Sequence, residues 1–202
     1  MSLGASLSNS ALLVIDIQND FCHEQGYMRQ AKGFDLSYIP GVIQGLETSL
    51  AAARQTGIPV IWIRSFYDFK YLLPSQRRKR GEEGCCLEGS WGADFFHFTP
   101  ADHDPIVTKH VYSGFHQTDL HAVLQARGIK TLLLTGVATN VCVDSTLRDG
   151  FFLGYDIVLV EDAVGSNSAP GHQGTLASVR NNFGKLISSQ ALQAALLTTT
   201  EV

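Results

Sequence analysis

Short apolar runs, rich in β-branched side chains, alternate along the chain with longer segments whose apolar residues have helical spacing. One such segment begins at Ile39, and another begins at Leu120 and is followed by a helix-ending Gly128. This alternation is typical of an α/β protein with a parallel sheet, because parallel strands need helical crossovers. The apolar runs predict strands at residues 11–17, 58–64, 105–108, 131–137, 156–161 and 184–188.

Residues 65–104 interrupt this alternation. They contain aromatic residues, several glycines and a basic run from Arg77 to Arg80. Because the chain has no internal repeat or low-complexity linker, we expect a single domain over residues 1–202, with 65–104 as a long insertion at a pocket or an interface. For the basic run, the pattern favours a solvated face over a binding patch.

Composition excludes several classes of protein. Hydrophobic residues make up 45% and charged residues 17%, as in folded proteins, and the net charge of −4 argues against a nucleic-acid surface. The N-terminus lacks a basic residue before an apolar stretch, and the first apolar run, 11–15, is too short to span a membrane. We therefore expect no membrane partner and a cytoplasmic location. The four cysteines form no CxxC pair, and we expect free thiols.

Three reactive side chains follow three separate apolar runs: Asp16, Lys109 and Cys142. Each alone has an ordinary explanation, as a turn residue, a solvated lysine and a small buried apolar group. Ligands of an open parallel sheet bind at the carboxyl ends of its strands, however, and all three residues fall at that edge. Their joint position favours a reactive site.

The three side chains are suited to covalent catalysis. Only the thiolate of a cysteine attacks a carbonyl well, and Cys142 falls at the start of a predicted helix, residues 140–150, which would favour negative charge. Lys109 would favour the thiolate further, and Asp16 could accept the thiol proton and return it to a leaving nitrogen. Backbone N–H groups of Ala138 and Cys142 could hold an oxyanion, an interaction worth about 3 kcal/mol per donor.

Four segments together resemble the isochorismatase-like cysteine hydrolases. GVATNVCVDSTLRDG (136–150) and EDAV (161–164) are similar to the nucleophile region of that family. VIDIQNDF (14–21) resembles its aspartate strand, and KHVYSGFHQTDL (109–120) resembles its lysine segment. The segments occur in the order of the family, and the combination is highly specific.

This resemblance implies an Asp16–Lys109–Cys142 triad on a six-stranded parallel sheet of order 3-2-1-4-5-6, with helices on both faces in a Rossmann-like fold. It also implies a cis peptide between Val137 and Ala138. Relatives that cleave a vinyl ether typically lack the cysteine, so Cys142 favours amide chemistry. Dimers and tetramers are common in the family, so we expect a homodimer or a homotetramer.

Within the family, KHVYSGF and residues 128–151 look closest to the ureidoacrylate and biuret amidohydrolases, which implies a small amide or ureido substrate. A nicotinamidase-type hydrolase is the alternative. Many nicotinamidases carry a metal-binding D-x-H, whereas here Asp68 is followed two positions later by Lys70. The histidines form no compact ligand set either, and we expect no catalytic metal and no cofactor.

Four further residues are candidates for the substrate pocket: Phe21, Arg64, Tyr112 and Phe115. The three aromatic residues could instead be core residues, and Arg64 could pair with Asp68 rather than with a substrate carboxylate. Two other classes of protein stay open. A non-catalytic assembly or redox module is disfavoured by the intact triad, and a dinucleotide-binding protein is disfavoured by the missing GxGxxG.

Overall fold

A computed structural model describes residue 7, residues 9–80 and residues 84–199. Residues 1–6 of the N-terminus, residues 81–83 of the insertion and the side chain of Arg80 lie outside the described part. The six strands of its sheet are all parallel and lie in the order β3-β2-β1-β4-β5-β6, which confirms the expected topology. They are β1 (Ser10–Ile15), β2 (Val60–Ser65), β3 (Ile106–Lys109), β4 (Thr131–Val137), β5 (Asp156–Gly165) and β6 (Gly184–Ile187).

Helices connect the strands. We number them α1 (Asn19–Cys22), α2 (Tyr27–Gln30), α3 (Ile39–Thr56), α4 (Pro74–Arg80), α5 (Leu120–Ala126), α6 (Asp144–Phe152), α7 (Ala169–Ser178) and α8 (Ser189–Thr199). Short 3₁₀ turns lie at Phe69–Tyr71 and Trp91–Ala93, and π-helical turns lie at Thr139–Val143 and Val179–Phe183. Among the described helices, none combines the length and the apolar character needed to cross a membrane.

The sheet separates two hydrophobic cores. Side chains alternate between the faces of a strand, so Leu12 and Val14 of β1 pack against α3 and α8, whereas Leu13 and Ile15 pack against α5, α6 and α7. β1 and β4 are buried along their whole length. Central strands covered on both faces explain why these runs are apolar at almost every position.

The insertion between β2 and β3 folds back onto the sheet. The Phe95 ring meets the Trp62 ring edge-on at 5.2 Å, and Gln18 and Phe95 form an isolated antiparallel bridge. Asp104, at the end of the insertion, accepts hydrogen bonds from Trp62 Nε1 (2.9 Å) and from the guanidinium of Arg54. The bridge to Gln18 holds the insertion at the carboxyl end of β1, and the contacts of Asp104 fix its return to the start of β3.

Two glycines of α3 provide a matched test of how this helix packs. A Cβ at Gly45 would overlap the carbonyl oxygen of Asp162 in β5, whereas a Cβ at Gly41 would meet open space among the described residues. We expect Gly45→Ala to destabilise the fold by about 1–3 kcal/mol, because helix and strand would have to separate. Gly41→Ala should be neutral or stabilising by up to about 1 kcal/mol, because alanine has the better helix propensity. Urea unfolding of both variants measures the difference, and equal stabilities would contradict this packing.

Candidate active site

The carboxyl edge of the sheet carries a cavity of about 400 Å³. Asp16, directly after β1, and Cys142, in the π-helical turn after β4, both line this cavity. Lys109, the last residue of β3, lies behind Asp16 and reaches it with its ammonium group. The structure thus brings together the three reactive residues predicted from the sequence.

Lys109 and Asp16 form an ion pair that is almost fully buried, with side-chain exposures of 0% and 1%. Lys109 Nζ donates to Asp16 Oδ2 (2.7 Å), Ser65 Oγ (2.7 Å) and the Val111 carbonyl (3.2 Å). Ser65 Oγ in turn donates to Asp16 Oδ1 (2.9 Å). Burial alone would lower the pKa of Lys109, but Asp16, Cys142 and Tyr67 together outweigh burial and hold that pKa well above its usual value. Lys109 is therefore charged.

Gln18 links the insertion to Ser65, the residue that bridges this ion pair. Its side-chain oxygen accepts from Ser65 N (2.7 Å), and its amide donates to the carbonyls of Ser65 (3.0 Å) and Ala93 (2.8 Å). Asp16 itself has a positive φ of 54°, a conformation that aspartate adopts more readily than most residues. Sequence reasoning missed both Gln18 and Ser65, although each adjoins a predicted strand end.

Cys142 lies in a π-helical turn, and not at the first turn of an α-helix as the sequence suggested. The turn covers Thr139–Val143, and α6 begins only after it. The N–H groups of Val141 (3.0 Å) and Val143 (3.3 Å) both donate to the carbonyl of Ala138, which ties the turn to the end of β4. The peptide bond between Val137 and Ala138 is cis.

The surroundings of Cys142 favour its neutral thiol. Burial raises the pKa of Cys142 to about 12, and the negative charge of Asp16 raises it as well. Lys109 lowers the pKa, but its effect is smaller than these two. Lys109 thus favours the thiolate, as the sequence predicted, but burial and Asp16 together outweigh it. Asp16 is the carboxylate beside this thiol.

Tyr67 completes the cluster and was missed in the sequence. Its hydroxyl lies 3.9 Å from Cys142 Sγ and 3.4 Å from Lys109 Nζ. Burial raises the pKa of Tyr67 well above its usual value, so the phenol stays protonated. A protonated phenol beside the sulfur can donate to a developing negative charge. The only sequence signal for Tyr67 is its position two residues past the end of β2.

Two of the four predicted pocket residues line the cavity, Phe21 and Tyr112. Arg64 does not line it. Its Nε donates to Thr108 Oγ1 (3.1 Å), and its guanidinium lies 4.6 Å from the centre of the Phe66 ring. Arg64 therefore neither faces the cavity nor pairs with Asp68. Its neighbour Ser65 faces the ion pair, and adjacent residues of a strand point to opposite faces.

Phe115 is the other correction. It stacks on Tyr155 with ring centroids 5.9 Å apart and packs in the core between the sheet and helices α5, α6 and α7. It does not line the cavity. The alternative of core packing was the right one for this residue.

Most of the cavity wall was not anticipated. The segment around α2 contributes aromatic and long side chains, and Lys79 of the basic run also reaches the cavity. Lys79 is solvent-exposed, as expected for that run, and it also lines the cavity. The unanticipated lining residues include Tyr27, Met28, Lys32, Phe34, Tyr38, Lys79, Cys85, Val141 and Asn167.

The isochorismatase-domain family model matches residues 10–191, which hold all six strands and the three reactive residues. The protein belongs to the isochorismatase family. Ureidoacrylate amidohydrolase RutB of Cronobacter turicensis is 39% identical over 193 residues, which cover 87% of this chain and 83% of that protein.

Solved structures of the family have the same fold. A cysteine hydrolase from Pseudomonas syringae pv. phaseolicola superposes with a TM-score of 0.83 at 25% identity, covering 95% of this chain and 93% of that one. An N-carbamoylsarcosine amidase from Thermoplasma acidophilum superposes with a TM-score of 0.74 at 27% identity, covering 90% of this chain and 96% of that one.

The electrostatics of the site predict an unusual response to Asp16→Asn. Because the charge of Asp16 raises the pKa of Cys142, its removal should lower that pKa and speed alkylation of Cys142 at neutral pH by about tenfold or more, since each pKa unit changes the thiolate fraction tenfold. Hydrolytic turnover should fall nonetheless, because no carboxylate is left to move the proton.

Lys109→Met is the matched variant, and it should raise the pKa of Cys142, because Lys109 lowers that pKa. Alkylation of Cys142 should slow in that variant. Iodoacetamide labelling as a function of pH, followed by peptide mass spectrometry, measures both rates, and thermal unfolding controls for the fold. Slower labelling in Asp16→Asn would contradict the assigned electrostatics.

Proposed function

We propose that this protein hydrolyses a C–N bond of a small ureido or amide substrate through a covalent intermediate on Cys142. The observation that carries the proposal is the position of Cys142 in the cavity lining, next to a carboxylate that forms an ion pair with a buried lysine. The names of the relatives support the same chemistry, since one is a ureidoacrylate amidohydrolase and another is an N-carbamoylsarcosine amidase.

In the first step, Cys142 Sγ attacks the carbonyl carbon and its proton passes to Asp16. The new C–S bond leaves negative charge on the carbonyl oxygen, for which we assign the backbone N–H groups of Ala138 and Cys142 as donors. Coupling attack to proton transfer avoids a free thiolate, which a site this buried disfavours. Lys109 stays charged throughout and holds Asp16 in place.

In the second step, Asp16 returns the proton to the leaving nitrogen and the C–N bond breaks. A ureido substrate leaves its carbamoyl group on the sulfur, and an amide leaves its acyl group there. Water then attacks this thioester-type intermediate, with Asp16 accepting a proton from the water. The sulfur departs and takes up a proton, which restores the thiol. A released carbamate decomposes to carbon dioxide and ammonia.

Charge on the cavity wall favours an acidic substrate. Lys32 and Lys79 both line the cavity, and Asp16 is the acid among the described lining residues. A ureido acid such as ureidoacrylate could place its carboxylate near these ammonium groups and its ureido carbonyl at Cys142. The aromatic wall from Phe21 and Tyr112 would cover the planar part of such a molecule.

That aromatic wall also supports a second candidate, a nicotinamidase-type reaction on a planar aromatic amide. An ammonia-release assay over ureidoacrylate, biuret, N-carbamoyl amino acids and nicotinamide separates the two candidates. A non-catalytic assembly or redox module would release ammonia from none of them. Assembly as a homodimer or homotetramer stays a prediction, which light scattering tests.

Cys142→Ala should lower turnover by roughly a thousandfold or more, because the variant has no nucleophile. Cys22→Ala is the matched control, since Cys22 is also buried but packs in the core between the sheet and α3. The control should retain turnover with a small loss of stability. Ammonia release and thermal unfolding are measured for both. Turnover in Cys142→Ala above a few per cent of the wild-type rate would exclude the covalent mechanism.

Lys79→Gln should raise KM for an anionic ureido substrate about two- to fivefold, the size expected for one partly solvated ion pair. The KM for a neutral amide should not change, and kcat should change little. Arg78→Gln is the matched control, because Arg78 carries the same charge on the same helix and does not line the cavity. If both variants raise KM equally, the effect comes from the overall positive charge of α4 and not from a contact of Lys79. If Lys79→Gln leaves KM unchanged, the proposed contact is excluded.

A further inference from the structure

Two adjacent cysteines of the insertion lie beside the active site and have no role in the proposed reaction. The sulfur atoms of Cys85 and Cys86 are 3.8 Å apart, and the thiol of Cys86 also lies 3.8 Å from the carbonyl oxygen of Gly92. Both side chains are buried within the fold, but Cys85 lines the catalytic cavity. A small reagent that enters the cavity can therefore reach Cys85, whose sulfur adjoins that of Cys86.

The backbone holds the two sulfurs on the same side. Cys86 has a φ of 53°, in the left-handed region, and its N–H donates to Asp20 Oδ2 at 2.6 Å. The other oxygen of Asp20 accepts from Tyr27 N at 3.0 Å. Asp20 lies within 4.8 Å of both sulfurs, but its two oxygens already bind backbone N–H groups, so it acts as an anchor for this turn.

We propose that Cys85 and Cys86 form a second reactive site, a vicinal dithiol that a peroxide entering the catalytic cavity oxidises to a disulfide. The site is independent of the hydrolytic reaction, since neither sulfur takes part in it. Its ligand class is a small two-electron oxidant, and a trivalent arsenical is the matching reagent for the reduced pair.

The oxidation balances in two steps. Cys85 sulfur attacks hydrogen peroxide, the O–O bond breaks, and Cys85 becomes a sulfenic acid with release of water. Cys86 sulfur then attacks the Cys85 sulfur, the S–O bond breaks, and a second water leaves. Two thiols are oxidised, and one peroxide is reduced to two waters. Cys85 lines the cavity and meets the peroxide first, whereas burial raises the pKa of Cys86 well above its usual value and so disfavours Cys86 as the first nucleophile.

The product would be strained and reversible. Adjacent Cα atoms lie about 3.8 Å apart, which is shorter than the roughly 4.4–6.8 Å of most disulfides. Strained disulfides are readily reduced, so a thiol reductant should restore the pair. Closure of the eight-membered ring would also disturb the Cys86 carbonyl, which accepts from Tyr67 N at 3.3 Å. Since Tyr67 touches Cys142, we expect oxidation to lower hydrolytic activity reversibly.

Peptide mass spectrometry tests the proposal directly. Trypsin releases residues 81–109 as one peptide that contains Cys85 and Cys86 and neither of the other two cysteines. After mild peroxide treatment, this peptide should lose the mass of two hydrogen atoms, and a thiol reductant should restore the mass. The treatment is done on the wild type and on Cys142→Ala, so the result does not depend on the catalytic cysteine or on hydrolysis.

Cys85→Ser and Cys86→Ser are the matched controls. In Cys86→Ser we expect Cys85 to stop at sulfenic or sulfinic acid, and in Cys85→Ser we expect little oxidation of this peptide, because Cys86 is shielded. Phenylarsine oxide provides a second measurement on the reduced protein. It should condense with both thiols, with loss of one water, in the wild type and in Cys142→Ala but in neither serine variant.

Three outcomes would overturn the proposal. Cys85 could be oxidised to sulfinic acid in the wild type with no disulfide formed. Cys85 could form a disulfide with Cys142 instead, which would appear as a cross-link between two tryptic peptides. Metal analysis could find stoichiometric zinc that Cys85→Ser loses, which would make the pair a metal site.

Discussion

The buried pair of Lys109 and Asp16 is the constraint on which the rest of the site depends. Two charges removed from water cost several kcal/mol each unless geometry and hydrogen bonds compensate. Here Ser65 Oγ bridges the pair, and the Val111 carbonyl accepts from the ammonium. Asp16, Ser65 and Lys109 lie at the ends of three different strands. β1, β2 and β3 must therefore keep their register for the ion pair to keep its hydrogen bonds.

Burial that strengthens the pair also sets the chemistry of the cysteine. Burial, and next to it the negative charge of Asp16, make a thiolate at this position costly, and the raised pKa of Cys142 follows from both. In the proposed mechanism, the thiolate therefore forms only as the sulfur attacks the substrate carbonyl. This coupling gives Asp16 a role as proton acceptor that a pre-formed thiolate would not require.

The sequence could predict the parts of the site that sit on regular structure. β1 is covered on both faces and leaves a long apolar run, so its end, with Asp16, could be predicted. β3 is a short edge strand, and its apolar run just before Lys109 was enough to predict its end. Arg64 was misplaced because strand ends were used without the alternation of side chains, which assigns the inward position to Ser65. The cavity wall has no such periodicity. Tyr67 lies in an irregular segment and Lys79 lies on the short helix α4, and tertiary contacts that nothing local in the sequence reveals bring both to the site.

The sheet and the insertion contribute different parts of the site. The sheet fixes the ion pair to within hydrogen-bond tolerance, whereas the insertion contributes the variable wall, including Lys79 and Cys85. Gln18 connects the two, since its amide donates both to Ser65 on the sheet and to Ala93 in the insertion. Substitutions in the insertion can thus alter which substrate fits without changing the charges at the centre. Perturbations near Gln18 are different, because they would loosen the wall and the ion pair together.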